Sequence, residues 1–350
     1  MSRKAWIGWG VVVAGVAFFY LFGTSILRAQ METAMSTACS RPVTLRSVHI
    51  TLPPGLRMNG IVVPAGPREG PSPLSVEEIT ARLTAGDLVQ GRTGLNLEVK
   101  KPKIIMVWTP QARALFSPAA FKNAAGPIKL PLARLRVEGG ELTFVDETVT
   151  PAVSWNLRDL RMEIAADRGP REYSVKLSAR LDDDASKALG GLKLDGSVLL
   201  GGGPVDAALE VDHGQVRQLS PYLRQILGTA PTQGQAHLTS KITVHEGVLM
   251  SRNDIVASDI VFPYGERTTL DLEGNRLVDL LQDPEGKIHL GFIVTGRLGE
   301  KLDWSDLATG ALREAMRQAL SKGIQKILGE MQQDRSAGEI LQDTLDSLGK

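Results

Sequence analysis

The residues that could ligate a metal or transfer a proton are dispersed along the 350-residue chain. A zinc site needs three or four convergent ligands, and a closely spaced histidine pair is its usual sign in a sequence. The five histidines form no such pair; they are His49, His213, His237, His245 and His289. We therefore predict no metal and no cofactor here, because only the tertiary structure could bring such distant ligands together.

The motifs of nucleophilic and phosphate chemistry are missing too. There is no Gly-x-Ser-x-Gly elbow, so Ser/His/Asp hydrolysis has no local signature. The glycine run at 201–203 is followed by Pro204 instead of the Lys-Ser/Thr of a phosphate loop, which indicates a hairpin turn. The aspartates at 182–184 offer calcium ligands, but they follow a strand pattern, and we predict a solvated turn. No catalytic residue is nominated, and we do not expect an enzyme.

The charge and the cysteine content limit the partners that the protein can have and the cellular compartments that suit it. Lys and Arg number 40 against 39 Asp and Glu, a formal net charge of +1. Nucleic-acid binding needs a concentrated basic surface, so nucleic acid is not an expected partner. The single cysteine, Cys39, cannot form an internal disulfide. The residues before it lack the large apolar residue of a lipoprotein cleavage site, so we interpret it as a small residue near a strand start.

An uncharged stretch from Ala5 to Leu27 predicts a membrane anchor. Its 23 residues would form a helix roughly 34 Å long, enough to cross a bilayer core. The apolar region of a cleaved signal peptide is shorter, although a long signal peptide cut near Ala38 is the alternative. Arg3 and Lys4 precede the stretch, which favours a cytoplasmic N-terminus. We predict a single-pass membrane protein with its bulk outside the cytoplasm, or alternatively facing it.

From Val43 onward, apolar and polar residues alternate, which is typical of half-buried strands. The clearest run is Tyr173 to Asp182, where Val175 and Leu177 interleave with lysine and serine. We expect roughly 13 to 17 short strands, mostly antiparallel. One amphipathic helix is predicted at Val216 to Leu227.

Three features predict interruptions of these strands. Val137 to Pro151 predicts two short strands joined by a tight turn at its Gly-Gly pair. Pro102 predicts a break or an edge. The alternation changes phase at Arg158–Asp159, which is typical of a β-bulge.

The period becomes helical from Trp304, with Leu312, Met316 and Leu320 on one face. Such a helix could pack on the end of the sheet, cap or gate an apolar groove, or meet a membrane or partner. These patterns predict four parts: a cytoplasmic stub with the anchor at 1–29, a helical connector at 30–42, a β-groove domain at 43–300 and a C-terminal helical segment at 301–350.

The segment "LARLRVEGGELTFVDETVTPAVSWNLRDLRMEI", Leu132 to Ile164, has a strand, a Gly-Gly pair, a strand ending in an aromatic and an Asp, then a Pro before an "NLRDL" strand. The start, "RPVTLRSVHITLPPGLRMNGIVV", follows an N-terminal anchor and leads to a strand that ends in a Lys-Pro step. This order resembles the AsmA-like superfamily of bacterial envelope proteins, the AsmA/TamB-related group. The likeness covers the anchor and about the first 165 residues.

The resemblance implies a mainly β fold, in which an N-terminal transmembrane helix precedes a long antiparallel, twisted sheet rolled into an open hydrophobic groove, followed by C-terminal amphipathic helices. It also implies a periplasmic protein, anchored in the inner membrane, that binds or guides phospholipid in lipid transport or outer-membrane biogenesis. The expected partners are the inner membrane, phospholipid and other envelope proteins. The alternative is a non-lipid assembly component of an envelope or type II secretion machine, resembling the GspN type.

The pattern itself supports either a groove or a closed sandwich. A sheet with one apolar face must cover that face, and few helices are predicted to do so. If acyl chains cover it, the inward residues form the site. The predicted groove lining is Val175, Leu177, Leu192, Leu194, Val198, Leu209, Leu238, Ile242, Leu290 and Phe292, with Leu312, Met316 and Leu320 on a cap helix.

Overall fold

The computed structural model describes most of the chain between residues 25 and 325. The described residues are 25–37, 39, 41–51, 55–65, 72–83, 94–109, 132–169, 172–182, 188–199, 203–269, 271–297 and 310–325 without 312, 322 and 324. The predicted anchor lies outside them, except for its last three positions. Within these ranges, no helix combines the length and the apolar character that crossing a membrane would need.

The described part of the protein is mainly β, and its thirteen strands hydrogen-bond in one sheet. Neighbours follow chain order, with the fifth strand pairing beside this path with the third and sixth. Most pairs are antiparallel, as predicted, but the fourth and fifth strands run parallel to the sixth. The chain divides into two compact units, residues 1–207 and 208–350.

The first unit contains nine strands and the start of a tenth among its described residues. Each forms because alternating apolar residues can share one face while polar residues occupy the other. The strands are β1 Ser47–Thr51, β2 Gly55–Val63, β3 Leu74–Leu83, β4 Leu95–Lys100, β5 Lys103–Trp108, β6 Leu132–Asp146, β7 Val153–Gly169, β8 Glu172–Asp182, β9 Ala188–Leu199 and β10 Val205–Gln215.

Irregular residues lie side by side in neighbouring strands of this unit. Lys101, Gly139 and Asp159 all have positive φ angles, of 46°, 63° and 50°. The predicted break at Pro102 and the predicted bulge at Arg158–Asp159 are both confirmed, by the boundary between β4 and β5 and by the register shift between β7 and β8.

The predicted hairpin at Gly139–Gly140 is wrong, because β6 is one continuous 15-residue strand. The glycines form a bulge against the β4–β5 break, where Lys101 N–H donates to Glu138 O at 2.8 Å and Glu141 N–H donates to Pro102 O at 2.7 Å. A Cβ on Gly140 would lie 3.1 Å from the Pro102 ring. The glycine pair therefore admits the neighbouring strand instead of reversing the chain.

A helix over residues 25–37, α1, covers the first strands of this unit. Its residues Leu27, Met31 and Met35 pack against a buried cluster. Glu32 accepts hydrogen bonds from Leu45 N–H at 2.8 Å and from the Arg28 guanidinium at 3.1 Å, and these lower its pKa. The buried members of the cluster are Val43, Leu45, Val48, Ile61, Val63 and Val76.

The second unit combines the rest of β10 and three further strands with helices. The predicted helix is confirmed as a 3-10 turn at Val216–Leu219 followed by α2, Ser220–Leu227. Helix α3, Gly274–Leu281, was not predicted, although its Leu-Val and Leu-Leu pairs have helical spacing. The other elements are β11 Gln233–His245, β12 Val248–Val261, β13 Ile288–Arg297 and a helix within 310–325, α4.

Helices and strands of this unit share one core. Leu277 is only 1% exposed and packs with side chains from α2, α4 and the ends of β12 and β13. Gly323 allows α4 to approach α3, because a Cβ there would overlap the Leu280 carbonyl oxygen. The buried members are Ile226, Leu227, Ala257, Phe262, Leu277, Val278, Ile288, Met316 and Leu320.

Candidate functional site

One face of the first unit is apolar across at least five neighbouring strands. Residues that pair across a ladder lie on the same face of the sheet, and apolar residues pair with apolar residues here. One row consists of Val99, Val137, Met162, Leu177 and Leu194. A second row consists of Leu97, Leu135, Ile164, Val175 and Gly196. Of the predicted lining residues, Val175, Leu177, Leu192, Leu194 and Val198 lie on this face.

The bulges keep this face continuous. Val137 and Leu142 lie five positions apart and would fall on opposite faces of a regular strand, since side chains alternate. The extra residue at Gly139 restores their common face, and Leu142 then pairs with Leu157, which pairs with Leu181. Val99 in β4 and Ile104 in β5 are also five positions apart, and the break between these strands likewise places them on one face. The apolar side chains therefore share a face on both sides of the bulges.

The second unit has an apolar face of its own on β11, β12 and β13. Leu238 pairs with Ile255, and Ile255 pairs with Leu290. Phe292 and Ile242 lie on the same face, two residues beyond Leu290 and four residues beyond Leu238. The predicted Leu209 lies on β10, two residues beyond the buried Ala207 on the same side of that strand.

All ten predicted lining residues are half-buried. A closed sandwich would bury them fully. The opposite side of β8 is charged and exposed, with Lys176, Ser178 and Arg180. Each unit therefore presents an apolar face that its own described residues cover only in part.

Helix α4 covers one end of the second face. Met316 and Leu320, two of the three predicted cap residues, are buried at 7% and 9% exposure. They pack in the same core as Ile288, and Leu290 is partly buried against that core. Packing on the end of the sheet is thus observed for this helix, while Leu312 lies outside the described residues.

Three polar side chains interrupt the apolar face of the second unit. Ser240 and Asn253 pair directly across β11 and β12, and Asn253 pairs with Phe292. Ser240 is 5% exposed and Asn253 is 9% exposed. We call Ser240, Ser251 and Asn253 the polar row. The polar row was not predicted, although Ser240 occupies an inward position between Leu238 and Ile242.

Ion pairs stabilise the outer, polar face of the first unit. Lys100 Nζ donates to Glu78 Oε1 at 2.8 Å, which lowers the pKa of Glu78 and raises that of Lys100. Asp182, which we predicted to lie in a solvated turn, is the last residue of β8 and is fully buried. Arg180 Nε donates to it at 2.7 Å and Arg158 lies 3.3 Å away. The hydrogen bonds from Arg180 are the main cause of its lowered pKa.

Three possible metal ligands converge on β10 and β11, although His237 is 25 residues from Asp212 in the sequence. Ligand atoms of Glu210, Asp212 and His237 lie within 4.8 Å of one another. His237 Nδ1 is 2.7 Å from Asp212 Oδ1. A hydrogen bond between the two strands is therefore enough to explain why these two side chains lie together. All three side chains are partly exposed, and the absence of a metal stays a prediction.

No protein-family model matches the chain, and no curated protein matches its sequence. The functional assignment therefore rests on the two apolar faces, the helix that covers one of them and the polar row.

Proposed function

We propose that this protein holds the acyl chains of phospholipid against the apolar faces of its sheet. The observation that supports the proposal best is the half-burial of all ten lining residues on faces formed by consecutive strands. Burying a methylene group contributes about 0.8 kcal/mol, so an acyl chain laid along several leucines and valines would bind and also stabilise the sheet.

The surroundings of the faces support a groove over a sandwich. Among the described residues only four helices accompany thirteen strands, and α1 and α4 each pack at one end of a unit. The lining is Leu, Val, Ile and a single Phe, side chains that suit flexible acyl chains. We place the protein with the AsmA-like envelope proteins, anchored in the inner membrane with its bulk in the periplasm, where it contributes to lipid transport or outer-membrane biogenesis without catalysing a reaction.

Photo-crosslinking in living cells tests this with the full-length chain. Benzoylphenylalanine replaces Leu238, which faces inward, or Thr239, the next residue, which is exposed on the opposite face. Leu177 and Ser178 on β8 form the matching pair in the first unit. After irradiation, mass spectrometry identifies the adducts. We expect phospholipid adducts at the two leucines and few at Thr239 or Ser178.

Two outcomes would contradict the proposal. Equal lipid labelling of inward and outward positions would mean nonspecific contact with membrane. Protein adducts without lipid at Leu238 and Leu177 would favour the alternative, an assembly component of an envelope or secretion machine. As an independent check, Leu209→Asp should reduce co-purified lipid while the variant is still exported.

A further inference from the structure

The polar row ends in one donor that no described residue satisfies. Ser251 Oγ donates to Asn253 Oδ1 at 3.0 Å, so the 2.9 Å contact between Ser240 and Ser251 has Ser240 as its donor. Asn253 Nδ2 donates one hydrogen to Ser251 O at 3.1 Å. An amide nitrogen has two hydrogens, and within the described ranges the second one has no acceptor.

This arrangement offers a ligand a hydrogen-bond donor on an otherwise apolar face. A hydrogen bond to the remaining amide hydrogen would contribute about 1 kcal/mol, and an apolar residue at this position would continue the alternation of β12. The row also lies in the middle of the face, with apolar side chains on both sides of it along the strands. These flanking side chains are Leu238, Ile255 and Leu290 towards the end covered by α4, and Ile242, Val244 and Leu249 towards the other.

We infer that the polar row binds the ester carbonyl groups of a diacyl glycerophospholipid, with the free hydrogen of Asn253 Nδ2 donating to one of them. The inference rests on the proposed function and specifies its ligand: a lipid with a polar linkage, in preference to a plain hydrocarbon chain. Ala257, in the covered core, lies four residues from Asn253, about 14 Å along the strand. An acyl chain therefore has room on the covered side of its ester.

Two photoreactive probes separate this inference from the proposed function. Isolated membranes containing the full-length protein are irradiated with a phosphatidylglycerol that has a diazirine in one acyl chain, or with a diazirine-bearing alkane that has no ester. Labelling is read on peptides from residues 233–261, away from the predicted anchor. Asn253→Leu removes the amide at similar volume, Ser240→Ala removes the hydroxyl without adding bulk, and Thr239→Val on the opposite face is the control.

The wild-type peptides should be labelled by both probes. Asn253→Leu should lose about 3- to 10-fold of the phospholipid labelling, the effect of one hydrogen bond, and keep the alkane labelling. Ser240→Ala should show a smaller loss of the same kind, and Ser240→Thr, which keeps the hydroxyl, should restore it. Thr239→Val should behave as wild type.

Other results would overturn the inference in distinguishable ways. Unchanged phospholipid labelling in Asn253→Leu would show that the row only joins β11 to β12. Equal loss of both probes in Asn253→Leu and in Ser240→Ala would also exclude an ester contact, because the alkane has no ester to lose. If neither probe labels the wild-type peptides, the proposed function itself fails and the inference fails with it.

Discussion

Gly323 should be the residue that lets the C-terminal helix dock. A Cβ at this position would overlap the backbone carbonyl oxygen of Leu280, and a backbone atom cannot rotate away as a flexible side chain can. Gly310 is in the same helix, and a Cβ there would meet nothing within 4 Å. The pair Gly323→Ala and Gly310→Ala therefore makes the same chemical change with and without the steric conflict.

The expected magnitude follows from two opposing effects. Alanine favours a helix over glycine by about 1 kcal/mol, while overpacking costs about 1–3 kcal/mol. With a rigid carbonyl as the obstacle we take the upper end, so Gly323→Ala should weaken docking by about 2 kcal/mol. The limit is full release of Met316 and Leu320, buried at 7% and 9% exposure, which would cost about 1.5–3 kcal/mol for each side chain.

Hydrogen exchange measured by mass spectrometry on the full-length protein reads the docking directly. In Gly323→Ala, amides at residues 313–321 should lose protection by about 30-fold, the equivalent of 2 kcal/mol. Gly310→Ala should keep or slightly increase their protection. If Gly323→Ala protects α4 as well as Gly310→Ala does, the close approach to Leu280 does not determine docking, and our account of the cap is refuted.

Three further substitutions, one of them with a matched control, test the fold. Asp182→Asn should cost about 1–3 kcal/mol, because it removes the charged acceptor of Arg180. Because the pKa of Asp182 is lowered in the folded protein, its ionised form stabilises the fold above the ordinary carboxyl pKa, and this stabilisation is lost as pH falls through the folded pKa. The urea midpoint of the wild type should therefore fall more steeply with decreasing pH in this range than that of Asp182→Asn. Leu277→Ala, at a 1% exposed position, should lose about 2–5 kcal/mol in thermal unfolding. Gly139→Ala should lower the free energy of unfolding by about 1–2 kcal/mol, because the φ of Gly139 is +63°. Gly191→Ala is the control and should change the unfolding midpoint little, because the nearest atom to a Cβ there, the Ala179 carbonyl oxygen, would be 3.9 Å away.

The apolar faces could be predicted because alternation is a local property. In a strand, neighbouring side chains point to opposite sides whatever the strand pairs with, so Val175 and Leu177 had to share a face. The phase change at Arg158–Asp159 predicted its bulge for the same reason. Helix α2 likewise followed from a local helical period.

The Gly-Gly pair of β6 shows where local patterns fail. Glycines permit both a reversing turn and a bulge, and the choice depends on the break at Lys101–Pro102, almost forty residues earlier. The parallel pairing of β4 and β5 with β6 is equally nonlocal, since nothing within a strand specifies the direction of its neighbour.

Alternation with a period of two predicted most of the strands and the apolar side of each, because this period is a property of a single segment. The side chains that meet across the strands became known only from the fold. Ser240 and Asn253 become one polar row because of the register between β11 and β12, and His237 meets Asp212 only across strands. Register and strand order depend on contacts between distant segments, and a pattern read along the chain contains no information about which segments those are.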